Sequence, residues 1–141
     1  TDTSFGTSGL VAGTNRALAR PHGKIAPSDP IVMISTNPGS SMLVMRYTSA
    51  GVLDPGFNAT GSIVLDFAMS RDVGTAIAQQ KDGKLILMAA SSATGHAGLL
   101  TRLTTAGAID TTFGVEGKIT LPTTFPRALR IDADDRILVS A

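Results

Sequence analysis

Few residues of this 141-residue chain have types and spacings that could do chemistry. The two histidines, His22 and His96, lie in glycine-containing stretches, and neither has a second ligand at metal-binding spacing. Ser91 and Ser92 near His96 would supply a nucleophile and a base on one loop. No G-x-S-x-G elbow presents them, and a triad is defined by geometry rather than by nearness in sequence. Gly6-Thr7-Ser8-Gly9 lacks the Lys-Ser/Thr pair of a phosphate loop. Asp54 and Asp110 recur in one kind of turn and could hold Ca²⁺, but the turn brings too few further oxygens. Arg46, Tyr47 and Arg102, with His96, form the candidate ligand set, read as one sugar-binding site per unit. Aromatic residues are only 4% of the chain and tryptophan is absent, which weighs against flat-ring sugar stacking. For Arg46 and Arg102 the favoured reading is a structural salt bridge to the turn aspartates, and the repeated ligand site is the alternative. No motif requires a cofactor or a metal, and no catalytic residue is assigned.

The recurrence of these residues is itself the main signal, since self-similarity at a fixed period defines repeat architectures. TDTSFGTSG at residues 1–9 returns as LDPGFNATG at 53–61 and as IDTTFGVEG at 109–117. Asp2, Asp54 and Asp110 are spaced by 52 and then 56 residues, and so are Phe5, Phe57 and Phe113. MRYTSAGVLD at 45–54 matches TRLTTAGAID at 101–110, and KDGKLILMA at 81–89 matches ADDRILVSA at 133–141. The first unit is more divergent, with DPIVMIS at 29–35 following a stretch rich in Pro and Gly. The units run approximately over 1–53, 54–109 and 110–141, the last incomplete, in a single repeat domain of residues 1–141.

The turn explains its own residues. Gly51 and Gly107 sit where positive φ is expected, with Gly61 and Gly117 closing the motif. Asp54 and Asp110 can accept hydrogen bonds from backbone N–H groups two residues on. Phe5, Phe57 and Phe113 use three of five phenylalanines and read as plugs between neighbouring units. Full burial of each contributes ~1.5–3 kcal/mol.

Four short strands fit each unit. In the second they fall at 75–79, 84–90, 99–104 and 118–121; the earlier unit supplies 31–35, 42–48 and 62–67. Apolar residues never recur at helical spacing. Leu85-Ile86-Leu87-Met88 and Ile31-Val32-Met33-Ile34 are continuous apolar runs, the pattern of strands buried on both faces. The third strands mix Thr101, Arg102 and Thr104 among leucines, as expected nearer a rim. The fold expected is all-β, with β-propeller-like blades of four antiparallel strands and about two and a half repeats; a β-sandwich is the alternative.

Composition narrows the function classes. A net charge of +1 and 16% charged residues offer no basic face for nucleic acid. Without cysteine there is no disulfide, thiolate nucleophile or cysteine-held metal. No apolar run approaches the ~20 residues of a membrane helix.

These motifs resemble the delta-60 repeat family of bacterial proteins, a β-propeller domain of unknown function. Its units carry a stretch like A-x-x-x-D-G-K-I-L-V-A-G, an Arg-Tyr strand, an A-D-G-x-L-D-x-x-F-G turn and G-x-G-K-V. The counterparts are residues 76–90, Arg46-Tyr47 and Arg102-Leu103, the turns at 50–57 and 106–114, and Gly117-Lys118-Ile119. Asn58 stands where the family prefers glycine, and residues 12–30 depart from the pattern. The resemblance implies a surface or secreted bacterial propeller, at the cell surface or outside the cell, and carries over no catalytic residue.

A ring needs four to eight blades. Either the chain is part of a longer one, which is favoured, or copies self-associate. In the second case the segment near Leu10 could complete a blade begun by residues 129–141 of another copy. The functional expectation is a non-catalytic scaffolding or binding module. A lectin-like propeller and an enzyme with a central-channel site are the alternatives.

Overall fold

The computed structural model describes residues 15–19, 30–36, 41–67, 72–91, 98–122 and 126–140. Among them every regular element is a β-strand, and no helix is long and apolar enough to cross a membrane. The readings placed on His22, His96, Phe5, Gly6-Thr7-Ser8-Gly9 and the segment near Leu10 lie outside the described residues.

Among the described residues ten strands form three antiparallel sheets. β1 (Asn15–Ala19), β2 (Ile31–Thr36), β3 (Met42–Tyr47) and β4 (Ser62–Leu65) make the first sheet, in that order. β5 (Asp72–Gln79), β6 (Leu85–Ser91), β7 (Gly98–Leu103) and β8 (Lys118–Leu121) repeat it in the same order. β9 (Ala128–Ile131) and β10 (Ile137–Ser140) pair as the start of a third. Each strand read from the sequence overlaps one of β2–β8. The divergent first unit is a true repeat. The register shift opposite Ser35 and Ile34, on β1, recurs opposite Ala89 and Met88, on β5. A one-residue bulge at equivalent places bends both first strands alike.

The sheets stack face to face, with first strands side by side: β1 lies against β5, and β5 against β9. β6 shows why its sequence is a continuous apolar run. Its side chains alternate between faces. Leu85 and Leu87 enter one core, with Val32, Ile34, Met42, Val44, Phe57 and Leu65 of the first sheet. Ile86 and Met88 enter another, with Leu100 and Phe113, against which Leu129, Ile131, Ile137 and Val139 pack. A strand covered on both faces has no polar side to show.

The same positions recur at both interfaces. Val32, Ile34, Val44, Phe57 and Leu65 of the first sheet correspond to Ile86, Met88, Leu100, Phe113 and Leu121 of the second. The first sheet therefore projects Phe57 onto the second, and the second projects Phe113 onto the third. This head-to-tail stacking of four-stranded sheets is blade packing. In a sandwich, two sheets would bury one face each.

Two expectations are corrected. Within the apolar run of β2, Val32 and Ile34 are buried but Ile31 and Met33 are half-buried, because no described sheet covers their face as the second sheet covers the other. On β7 polarity does not signal a rim: Thr101 is 1% exposed, since its hydroxyl donates to the Gly117 carbonyl at 2.8 Å. A buried hydroxyl is tolerated when its donor is satisfied.

Candidate functional site

The recurring constellation is built by the return of the chain from the third strand to the fourth. In the first blade the hairpin closes through Gly51 N–H to the Thr48 carbonyl, 2.9 Å, and Asp54 N–H then bonds the Arg46 carbonyl, 2.9 Å. In the second, Gly107 N–H bonds the Thr104 carbonyl at 3.0 Å and Asp110 N–H the Arg102 carbonyl at 2.8 Å. Each aspartate then organises the turn. Asp54 Oδ1 accepts Gly56 N–H at 2.8 Å, and Asp110 Oδ1 accepts Thr112 N–H at 3.1 Å and the Thr112 hydroxyl at 2.6 Å. This fixes Phe57 and Phe113, whose N–H groups bond the aspartate carbonyls at 2.9 and 3.1 Å.

The arginines lie across the turn. Arg46 Nε is 2.8 Å from Asp54 Oδ2, and Arg102 Nε is 2.9 Å from Asp110 Oδ2. Each guanidinium lies over its phenylalanine ring, at 4.9 Å for Arg46 on Phe57 and 4.7 Å for Arg102 on Phe113. Tyr47 sits apart from this geometry. Its ring is buried, and its hydroxyl contacts Met45 Sδ at 3.4 Å.

Asp110 is the most electrostatically held group. The Thr112 hydroxyl is the main cause, joined by Thr112 N–H, Lys84 and Arg102, and together they hold its carboxyl well below the usual range against the opposing effect of burial. Lys84, just before β6, reaches it at 3.2 Å, and Lys84 is itself raised, first by Asp110 and then by Asp82.

The glycines of the constellation have the conformations it needs. Gly51, Gly61, Gly107 and Gly117 have φ of 74°, 81°, 86° and 83°. Asn58 and Gly114, at equivalent places after the phenylalanine, have φ of 50° and 60°. Asparagine tolerates this left-handed region better than other non-glycine residues, which explains how the position departs from glycine without changing the turn.

Between the first two blades the turn is an interlock. The hairpin of the second blade closes over Phe57, which is fully buried. Arg46 Nη1 donates to the Thr105 carbonyl at 2.5 Å, and Asn58 N–H donates to the Ala106 carbonyl at 2.7 Å. A Cβ on Gly107 would stand 2.9 Å from the Phe57 ring.

The sequence also holds a second interlock that escapes motif reading. Asp135, in the β9–β10 turn, accepts Gln80 Nε2 at 3.1 Å and Lys81 N–H at 3.0 Å, while Lys81 Nζ bonds the Ala133 carbonyl. In the alignment of KDGK with ADDR, Asp135 takes the place of Gly83, and both have positive φ, 64° and 85°.

Residues 80–113 match a family model described as a domain of unknown function (DUF5122) beta-propeller. The matched segment is a β-propeller repeat of unknown function. It runs from the second-strand hairpin to the plug phenylalanine, and so contains Lys84, Arg102, Gly107, Asp110 and Phe113 of the constellation just described. No curated protein matches the chain. A shallow cleft of about 540 Å³ borders the outer strand β8 of this propeller repeat, lined by Leu99, Val115, Glu116, Lys118 and Ile119 among others. Among the described residues no three histidine or acidic side chains are grouped to hold a metal.

Proposed function

We propose that this chain is a non-catalytic propeller module of a bacterial surface or secreted protein, with a scaffolding or binding role. The observation that supports this reading is the use made of the repeated arginines. Arg46 and Arg102 are each tied to the aspartate of their own turn and stacked on its phenylalanine. The most regular charged feature of the repeat therefore serves cohesion within and between blades. A charge committed in this way orders the fold and leaves ligand choice to the loops.

The test has two arms. Protease treatment of intact cells carrying a tagged chain should degrade the tag if the module is displayed outside; protection until lysis overturns that location. A glycan array should show no saturable binding that depends on Arg102. Binding abolished by Arg102→Ala in a folded protein would move the module to the carbohydrate-binding class.

A further inference from the structure

Val115, at 78%, is the most exposed large apolar residue among those described. It stands at the cleft along β8, with Leu99 and Ile119 in the same lining. The two charged residues there are Glu116 and Lys118. Among the described residues neither is ion-paired, while Arg46, Arg102, Lys84 and Arg136 all are. Lys118 Nζ lies 5.3 Å from the centre of the Phe67 ring, which holds it in place.

A tight turn presents these groups. Val115 N–H bonds the Lys118 carbonyl at 2.8 Å, and Lys118 N–H bonds the Val115 carbonyl at 3.0 Å. Glu116 and Gly117 between them have φ of 52° and 83°, the two positive values of a type I′ turn. The backbone groups of Lys118 are thereby used, so this end of β8 has no free edge for an added strand. It offers side chains instead: an apolar knob, a cleft, an acid and a base.

The fold does not require them. The first blade has Ala59-Thr60-Gly61-Ser62-Ile63 where the second has Val115-Glu116-Gly117-Lys118-Ile119. Gly61 and Gly117 agree in φ, 81° and 83°. Arg46 N–H bonds the Gly61 carbonyl as Arg102 N–H bonds that of Gly117, at 2.8 and 3.2 Å. The first blade thus makes the same return without the knob or either charge.

We propose that this patch is a contact between two copies of the chain related by a two-fold axis. Such a contact uses one patch on both sides, so the patch must be its own complement. This one is. Val115 of each copy enters the cleft of the other, and Glu116 of each lies against Lys118 of the other. A partner of a single charge sign would meet one of the two as a like charge, and an apolar partner would leave both unpaired. The patch is small, so the contact is weak and transient.

Sedimentation velocity of the intact chain, carried to about 1 mM, reads the association. The expected result is a dimer whose population grows with concentration. Glu116→Lys and Lys118→Glu each set like charges together and should weaken it at least about tenfold. An equimolar mixture of the two variants should restore it, because each copy then offers the charge that the other lacks at both contacts. Association through any other surface would not follow this exchange. Val115→Ala, which installs the residue of the first blade, should weaken the dimer while circular dichroism shows the fold unchanged. A native chain that stays monomeric overturns the proposal. So does a dimer that these substitutions leave unchanged, or one that the mixture of folded charge variants fails to restore.

Discussion

The guanidinium carbon of Arg46 lies 4.9 Å from the centre of the Phe57 ring while its Nε holds Asp54 at 2.8 Å. One side chain therefore links the turn to the plug, and through the Thr105 carbonyl it links both to the next blade. A cation over a ring in a partly desolvated place contributes ~0.5–2 kcal/mol, less than the burial of the ring itself. The arginine chiefly orients the turn; the phenylalanine supplies most of the cohesion.

Phe57→Ala should therefore destabilise the chain by ~3–5 kcal/mol, the range for large-to-small changes at fully buried aromatic positions. Urea unfolding followed by far-UV circular dichroism measures it. A loss under 1 kcal/mol would show that the ring is no plug.

Gly107→Ala tests the receiving side. The position has φ of 86°, and an added Cβ would meet the Phe57 ring at 2.9 Å. The left-handed backbone alone costs ~1–2 kcal/mol for an alanine. The ring contact adds to this, and Phe57→Ala should relieve that part. In a double-mutant cycle the two changes are expected to lose less together than the sum of each alone. Strict additivity would deny the contact.

Acid should loosen the second turn. The Asp110 carboxyl is held below its ordinary value, so the folded chain keeps it ionised where the unfolded chain, with a pKa near ~3.9, binds a proton. The unfolded state then binds more protons, and stability falls as pH drops from ~5 toward ~2. Asp110→Asn should be less stable than the native chain at pH 7, and its deficit should shrink below pH ~3. Denaturant midpoints across this range check the sign. Asp132, also lowered, chiefly through Arg136 N–H, contributes an acid slope that survives the substitution.

Asp135→Ala should loosen the third sheet selectively. It removes the acceptor of Gln80 Nε2 and Lys81 N–H and places alanine at φ of 64°. Loss of such hydrogen bonds costs ~1–3 kcal/mol. Amide exchange should quicken in β9 and β10, while β2, β3, β6 and β7 keep their protection. Uniform acceleration across all strands would mean that the sheets open together.

Which parts of this were legible in the sequence follows from how each is encoded. β6 could be read because a strand covered on both faces must be apolar at every position, and Leu85 to Ala89 obey that. The turn could be read because positive φ and a fixed plug restrict Gly107, Asp110 and Phe113 to a few residue types. β1 could not: its pairing rests on backbone bonds to β2, and NRALA carries no alternation. The half-buried state of Ile31 and Met33 depends on a neighbouring sheet, which their own sequence does not encode. The Asp135 clasp was hidden because an aspartate replaces a glycine there, which looks like loss of the motif while the left-handed turn is kept. The ligand set split in the same way. The recurrence of Arg46 and Arg102 was legible, but their stacking over phenylalanine needs coordinates, and Tyr47 shares only sequence adjacency with Arg46.

Successive blade packing through the plug is the central claim, and the contact of Phe57 with Gly107 tests it most directly. The two residues are fifty positions apart on different sheets, so only the blade stacking brings them together. A nuclear Overhauser spectrum of the labelled chain should show cross-peaks between the Phe57 ring protons and the Gly107 α-protons. One of those α-protons should also be displaced from its unstructured chemical shift by the ring current. Absence of the cross-peaks in a folded sample, with Gly107 at its unstructured shift, would contradict the account.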